Sequence, residues 1–237
     1  MIRFYLFVAG TMVLLGMVGL GTYWSGQILR SIRLDFNLLL HPAQIAIYLA
    51  LGSLCIGLGF LSGLPAEHLG WASRDWLLDS GIGIALGLAL PLMINPLVMV
   101  AVARWGPDIF SPVVMRALLP RRRREWALLP AALLPVILAE ELLFRSLLVG
   151  GLGNLISPWL WAAGGALLFG IMHAPQGRLG ILVTAAIGMI FSIVFILRGS
   201  LVPALIAHYL TDLIQVIYAS RHKEWLEMYP SPPMLHG

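Results

Sequence analysis

Seven stretches of this chain are long and apolar enough to cross a bilayer, and that feature limits the fold more than any other. A hydrocarbon core of about 30 Å needs about 20 apolar residues in a helix. Runs that meet or approach this length are 4–24, 42–64, 77–103, 126–149, 157–173, 179–197 and 201–219. Backbone amides in lipid must be satisfied within the segment, so such runs form helices. Hydrophobic residues make up 59% of the 237 residues and charged residues 11%, with mean hydropathy +0.90. A soluble domain is about 45–50% apolar and about 25% charged. The expected fold is therefore all-α: a polytopic transmembrane bundle of about seven helices, with any active site inside it.

The net charge is +4, carried by fourteen arginines and one lysine. In a chain this apolar the excess marks loops held at the cytoplasmic face, and no nucleic-acid partner is expected. The loop "RALLPRRRREW" places Arg116 and Arg121 to Arg124 on that side, with Arg30, Arg33, Arg178 and the C-terminal tail. The first run, after Arg3, exceeds a signal-peptide h-region and lacks a cleavage site, so a retained helix is expected. Residues 25–40 mix arginine with leucine and isoleucine and suggest an interfacial amphipathic piece. An eighth helix in 104–120 is opposed by Pro107, Asp108 and Pro112. Pro91 and Pro96 predict a kink in the third helix. Cys55 is the only cysteine, so neither an internal disulfide nor a cysteine metal cluster can form.

Against this background the stretch "AEELLFRSLL", 139–148, places Glu140, Glu141 and Arg145 within one apolar run. Each charge at mid-membrane costs about 2.5–3.5 kcal/mol, so three unpaired would cost roughly 7–10 kcal/mol. Glu141 and Arg145 are spaced i, i+4 and can pair on one helical face. Glu140 lies about 100° away and is left to face another neighbour. Two later runs carry three more polar residues: His173, one turn after Phe169 in "FGIMH", and His208 with Asp212 at i, i+4 in "HYLTD". Polar groups in lipid face the protein interior, so these residues should converge on one cavity. An aspartate one turn from a histidine can orient its imidazole. Pro130 and Pro135 offer a break in the fourth helix, with 125–135 along the interface and Glu140 nearer the cytoplasmic face.

Taken singly, each feature has a structural explanation: Glu141 with Arg145 as an ion pair, His173 as a packing residue, His208 with Asp212 as an interhelical contact. His41, His68, His222 and His236 lie at loops or ends, and Asn95 sits near a helix break; none is given a role. Glu140 alone has no structural need.

The motifs E-E-x-x-x-R, F-x-x-x-H and H-x-x-x-N/D, in this order, resemble those of the CPBP (or ABI) family of CAAX proteases and bacteriocin-processing membrane proteins. The resemblance runs from about 121 to 219 and includes similarity to the type II CAAX prenyl endopeptidase. It implies leading helices in 1–120, catalytic helices in 121–219 and a cytoplasmic tail in 220–237. It implies a glutamate-type intramembrane protease cleaving a peptide or membrane-protein tail, without a cofactor, and the arginine-rich, lysine-poor sequence suggests a bacterial inner membrane. Glu140 would activate water, His173 would help to bind it, and His208 would stabilise the oxyanion. Glu141, Arg145, Phe169 and Asp212 would support them. Asparagine stands at the last position in the prenyl endopeptidase. Here Asp212, when ionised, only accepts, which shifts the donor role to His208. Zinc held by Glu140, His173 and His208 is an alternative, though H-E-x-x-H is absent. A proton-coupled transporter or a non-enzymatic scaffold or immunity protein are the readings from other classes.

Overall fold

In a computed structural model the described residues, 1–229, form helices joined by turns, and six helices are long and apolar enough to cross a membrane. They are α1 (Ile2–Ser31), α2 (Pro42–Ser62), α3 (Trp76–Trp105), α5 (Arg123–Glu141) continued by a π-helical segment (Leu142–Gly151), α7 (Gly177–Arg198) and α8 (Val202–Arg221). The seventh apolar run forms α6 (Pro158–Met172), only 15 residues and hence about 22 Å long. Short helices α4 (Val113–Leu118) and α9 (Lys223–Glu227) complete the set. The polytopic bundle expected from hydropathy is thus the fold.

Helix limits follow local chemistry. Pro42 and Pro158 occupy first-turn positions, where a missing amide proton costs nothing. The Asp75 carboxylate caps α3 by accepting from the Leu78 amide at 3.0 Å. Gly63 and Gly199, at φ 70° and 63°, take the left-handed conformation that ends α2 and α7.

Two local expectations change, the interfacial piece at 25–40 and the break at Pro130 and Pro135. Residues 25–31 extend α1 as regular helix, and irregular chain follows to His41, so no separate interfacial helix spans 25–40. The 104–120 region, as expected, forms no eighth spanning helix and holds only a 3₁₀ turn and the six-residue α4. α5 runs unbroken through Pro130 and Pro135, so no interfacial break separates 125–135 from the rest. Neighbouring helices and local adjustment allow prolines inside membrane helices. The tail assigned to 220–237 is seen only as far as 229; residues 230–237, with His236, lie outside the described residues.

Small residues set the helix contacts. α3 packs along α8. A Cβ at Gly83 would stand 2.9 Å from the Pro203 carbonyl and one at Gly87 3.1 Å from the Ala207 carbonyl. This is the small-x-x-x-small device by which membrane helices approach closely. α6 packs on α7 in the same manner, with Gly170 facing the Ile181 carbonyl. α5 lies between α2 and α8. The largest buried cluster surrounds the π segment, with Phe7, Leu147, Leu148, Leu152 and Phe195. Leu92, Phe60, Leu182 and Val100 point outward, as lipid-facing positions do.

The 63–75 loop closes one end of the bundle. Trp71 donates its indole N–H to buried Ser146 at 2.8 Å, and the Leu201 amide donates to the Gly70 carbonyl at 2.9 Å. A side chain at Gly150 would collide with the His68 carbonyl, so the loop rests directly on the π segment. Arg198, at the end of α7, pairs with fully buried Asp79 at 2.6 Å, and Ser73 donates to the second oxygen of that carboxylate at 2.6 Å. That pair ties α3, α7 and the loop together.

Candidate active site

α5 places Glu140 and Glu141 in its last turn, immediately before the backbone widens into π turns. Such i→i+5 segments are uncommon and are concentrated at functional sites. Glu141 points into the protein and is fully buried; Glu140 keeps 21% of its side chain exposed. One carboxylate is held and its neighbour is accessible, as the 100° offset predicts.

Arg145 is 1% exposed and donates Nη1–H to Glu141 Oε1 at 2.8 Å. Its Nη2 donates to the Gly188 carbonyl of α7 at 2.9 Å, an oxygen that also accepts from Ser192. The guanidinium lies over the rings of Phe169 and Phe191, at 5.1 and 5.4 Å from their centroids. Gly188 leaves the room: a Cβ there would meet Phe169 at 3.2 Å and Arg145 at 3.6 Å. The buried arginine is thus neutralised, hydrogen-bonded and stacked, which offsets its removal from water.

His208, on α8, donates Nδ1–H to Glu141 Oε1 at 2.8 Å. Its Nε2 faces Glu140 Oε2 at 3.8 Å and Asp212 Oδ2 at 3.6 Å. A side-chain contact of 3.6 Å is too long for a hydrogen bond. The carboxylate bonded to the imidazole is therefore Glu141, whereas the i, i+4 spacing suggested Asp212. Asp212 retains 40% of its side-chain exposure although it sits midway along a membrane helix. A carboxylate at that position faces protein or water rather than lipid, and Glu140 and Asp212 are both accessible beside His208 Nε2.

His173 closes α6. Its Nδ1–H donates to the Phe169 carbonyl at 2.7 Å, which leaves Nε2 as the acceptor nitrogen of the neutral ring. Phe169 sits at the centre of the group. Its ring lies 4.7 Å from that of His173, 6.1 Å from that of His208 and 5.0 Å from that of Phe144. The turn after α6 is held by Arg30, which donates to the Ala174 carbonyl at 2.5 Å, and by Pro175 against Gly26 of α1.

All seven residues selected from the sequence, Glu140, Glu141, Arg145, Phe169, His173, His208 and Asp212, belong to this one neighbourhood. Among the described residues no group of three or more His, Cys, Asp and Glu is arranged to hold a metal ion. One polar pair was missed. Tyr48 of α2, one turn after Gln44, lies close enough to Glu140 to feel its charge. The available signal was "QIAIY": two polar groups one turn apart in an otherwise apolar helix.

Residues 122–214 match the family model described as type II CAAX prenyl endopeptidase Rce1-like. This segment is similar to the CAAX proteases. The Rce1-like region covers less than half of the chain and contains α5, the π segment, α6, α7 and most of α8. It therefore includes all seven site residues and leaves α1 to α4, with Tyr48, outside. No curated protein and no solved structure matches the chain. The match and the six apolar spans together support a multi-pass membrane protease of the CAAX type.

Proposed function

We propose that this protein is an intramembrane endopeptidase that cleaves a peptide or membrane-protein tail with a water activated by Glu140. The observation that carries the reading is the pairing of Glu140 with His208. The two lie on separate helices with Oε2 and Nε2 3.8 Å apart, while Glu141 holds the other face of the imidazole. Glu140 has no hydrogen-bond partner among the described residues, so its carboxylate is free to accept a proton from water. The resulting hydroxide attacks the peptide carbonyl. His208 serves in its protonated form: Nδ1–H is held by Glu141, and Nε2–H donates to the developing oxyanion. Preorganised donors at that position are the largest usual source of acceleration. His173 Nε2 offers an acceptor for the water's second proton. Glu140 then passes its proton to the leaving amine. The Glu141–Arg145 pair keeps His208 and α5 in register.

The test is cleavage of C-terminal tail peptides by purified protein, with and without a prenylated cysteine, read by mass spectrometry. The family description names a prenyl endopeptidase, and the two peptide series decide whether this chain requires the lipid. Cleavage of neither series or of any membrane-protein tail, with proton or ion flux in liposomes, would replace this reading with transport.

The His208 and Asp212 variants separate the roles on α8. His208→Ala should slow cleavage by about 10²–10³, the usual effect of losing one oxyanion donor. Asp212→Asn should keep most of the rate, because Glu141 and not Asp212 holds the ring. The double variant should be no slower than His208→Ala, since residues acting through one group are not additive. A double variant much slower than His208→Ala would give Asp212 a role of its own.

The mechanism needs no metal. Purified protein should contain no stoichiometric zinc, and strong chelators should leave the cleavage rate unchanged. One metal per chain, lost and regained together with activity, would favour the zinc alternative.

A further inference from the structure

A polar groove lies apart from this site, where the irregular chain before α2 meets the start of α5. It is an open groove of about 320 Å³, lined by Asp35, Phe36, His41, Arg121, Arg122 and Glu125, among others. Part of its charge is already used. The Arg121 amide donates to Glu125 Oε2 at 2.7 Å, and Arg121 Nη2 donates to the Leu34 carbonyl at 2.6 Å. Asp35, His41 and Arg122 form no side-chain hydrogen bond or ion pair among the described residues, although His41 and Phe36 rings touch at 4.9 Å. An unpaired anion and an unpaired cation thus face one groove without meeting. The position matters too: the groove lies at the polar ends of two helices, starting at Pro42 and Arg123, that are long and apolar enough to cross a membrane.

We propose that this groove binds the headgroup of a zwitterionic phospholipid that carries a primary ammonium. Arg122, with His41 beside it, receives the phosphate, and Asp35, backed by Glu125, receives the ammonium. Arginine suits a phosphate because its planar fork can donate two parallel bonds. Asp35 supplies the discrimination. A glycerol headgroup brings no cation to meet it, and a choline headgroup brings a cation with no N–H to donate. The volume matches the lower end of small-molecule pockets, about 300 Å³, enough for a phosphoethanolamine group with its acyl chains left outside. Exposed Phe36, at the rim, is apolar surface for the glycerol end.

Native mass spectrometry of the full-length protein, loaded with equal amounts of phosphatidylethanolamine, phosphatidylglycerol and phosphatidylcholine, tests this directly. The wild type should retain one phosphatidylethanolamine in several-fold preference to the others. Arg122→Ala should weaken that retention about tenfold, the effect of one charge-assisted hydrogen bond. Asp35→Asn should abolish the preference over phosphatidylglycerol. Both side chains lie on the surface, so both variants should fold, and circular dichroism checks this. Equal retention of the three lipids, or a preference for phosphatidylglycerol that Asp35→Asn leaves unchanged, would overturn the proposal. Competition by inorganic phosphate as strong as by phosphoethanolamine would show a free-anion site instead and would also overturn it.

Discussion

Glu140→Gln should reduce cleavage by at least about 10²–10⁴, the range supplied by a positioned general base, without loss of the folded protein. The structure provides the reason for both halves. Glu140 is partly exposed, sits 3.8 Å from His208 Nε2 and makes no hydrogen bond among the described residues that the amide would break. Glutamine preserves the size and removes the base. The measurement is the cleavage rate of a tail peptide alongside thermal unfolding in detergent. A folded Glu140→Gln variant within about tenfold of the wild-type rate would remove Glu140 from the mechanism and transfer the base role to another group. The experiment does not depend on which tail is the natural substrate, since it compares two proteins on one peptide.

The largest effect on stability should come from Arg145→Ala. Its guanidinium is 1% exposed, neutralises Glu141, bonds the Gly188 carbonyl and fills the space between Phe169 and Phe191. Truncation leaves a buried carboxylate without its counter-ion, an unpaired contact to α7 and a void between two rings. Breaking a buried pair from one side costs about 3–5 kcal/mol. The expected result is a sharp loss of folded yield and a lower unfolding temperature, read by size-exclusion chromatography and thermal unfolding in detergent. Arg145→Met combined with Glu141→Gln should recover much of the yield, because both charges leave together and the volume is kept. It should not restore cleavage if the charged Glu141 is needed to position His208. An Arg145→Ala protein as stable as wild type would show that the pair is not what holds this part of the bundle.

The contrast between these two variants rests on adjacent residues with opposite environments. Glu140 is accessible and unbonded, whereas Glu141 accepts from both Arg145 and His208 through one oxygen. A shift of one position along the helix would exchange them. The π segment that begins at Leu142 sets the direction in which Arg145 leaves the helix relative to both glutamates.

Much of this was legible in the sequence, for physical reasons that are local. Hydropathy is a property of the segment itself, so the runs at 42–64, 77–103 and 179–197 mark α2, α3 and α7 nearly to their ends. The i, i+4 rule depends only on helical geometry, and it placed Glu141 beside Arg145 and separated Glu140 from both. The charged and imidazole side chains in these apolar runs also had to face inward, since lipid cannot solvate them. What lay beyond reach depended on partners from other helices. The spacing of His208 and Asp212 suggested a pair, but the Nδ1 bond goes to Glu141, whose position is decided by the packing of α5 against α8. Pro130 and Pro135 suggested a break, but α5 stays continuous between α2 and α8. The Asp79–Arg198 pair joins residues far apart in the chain, with no spacing to announce it. Tyr48 approaches Glu140 from a helix outside the three motifs. Sequence alone therefore determined which segments enter the membrane and which side chains must be buried together. The tertiary structure decided which of those side chains touch, because each contact depends on where another helix crosses.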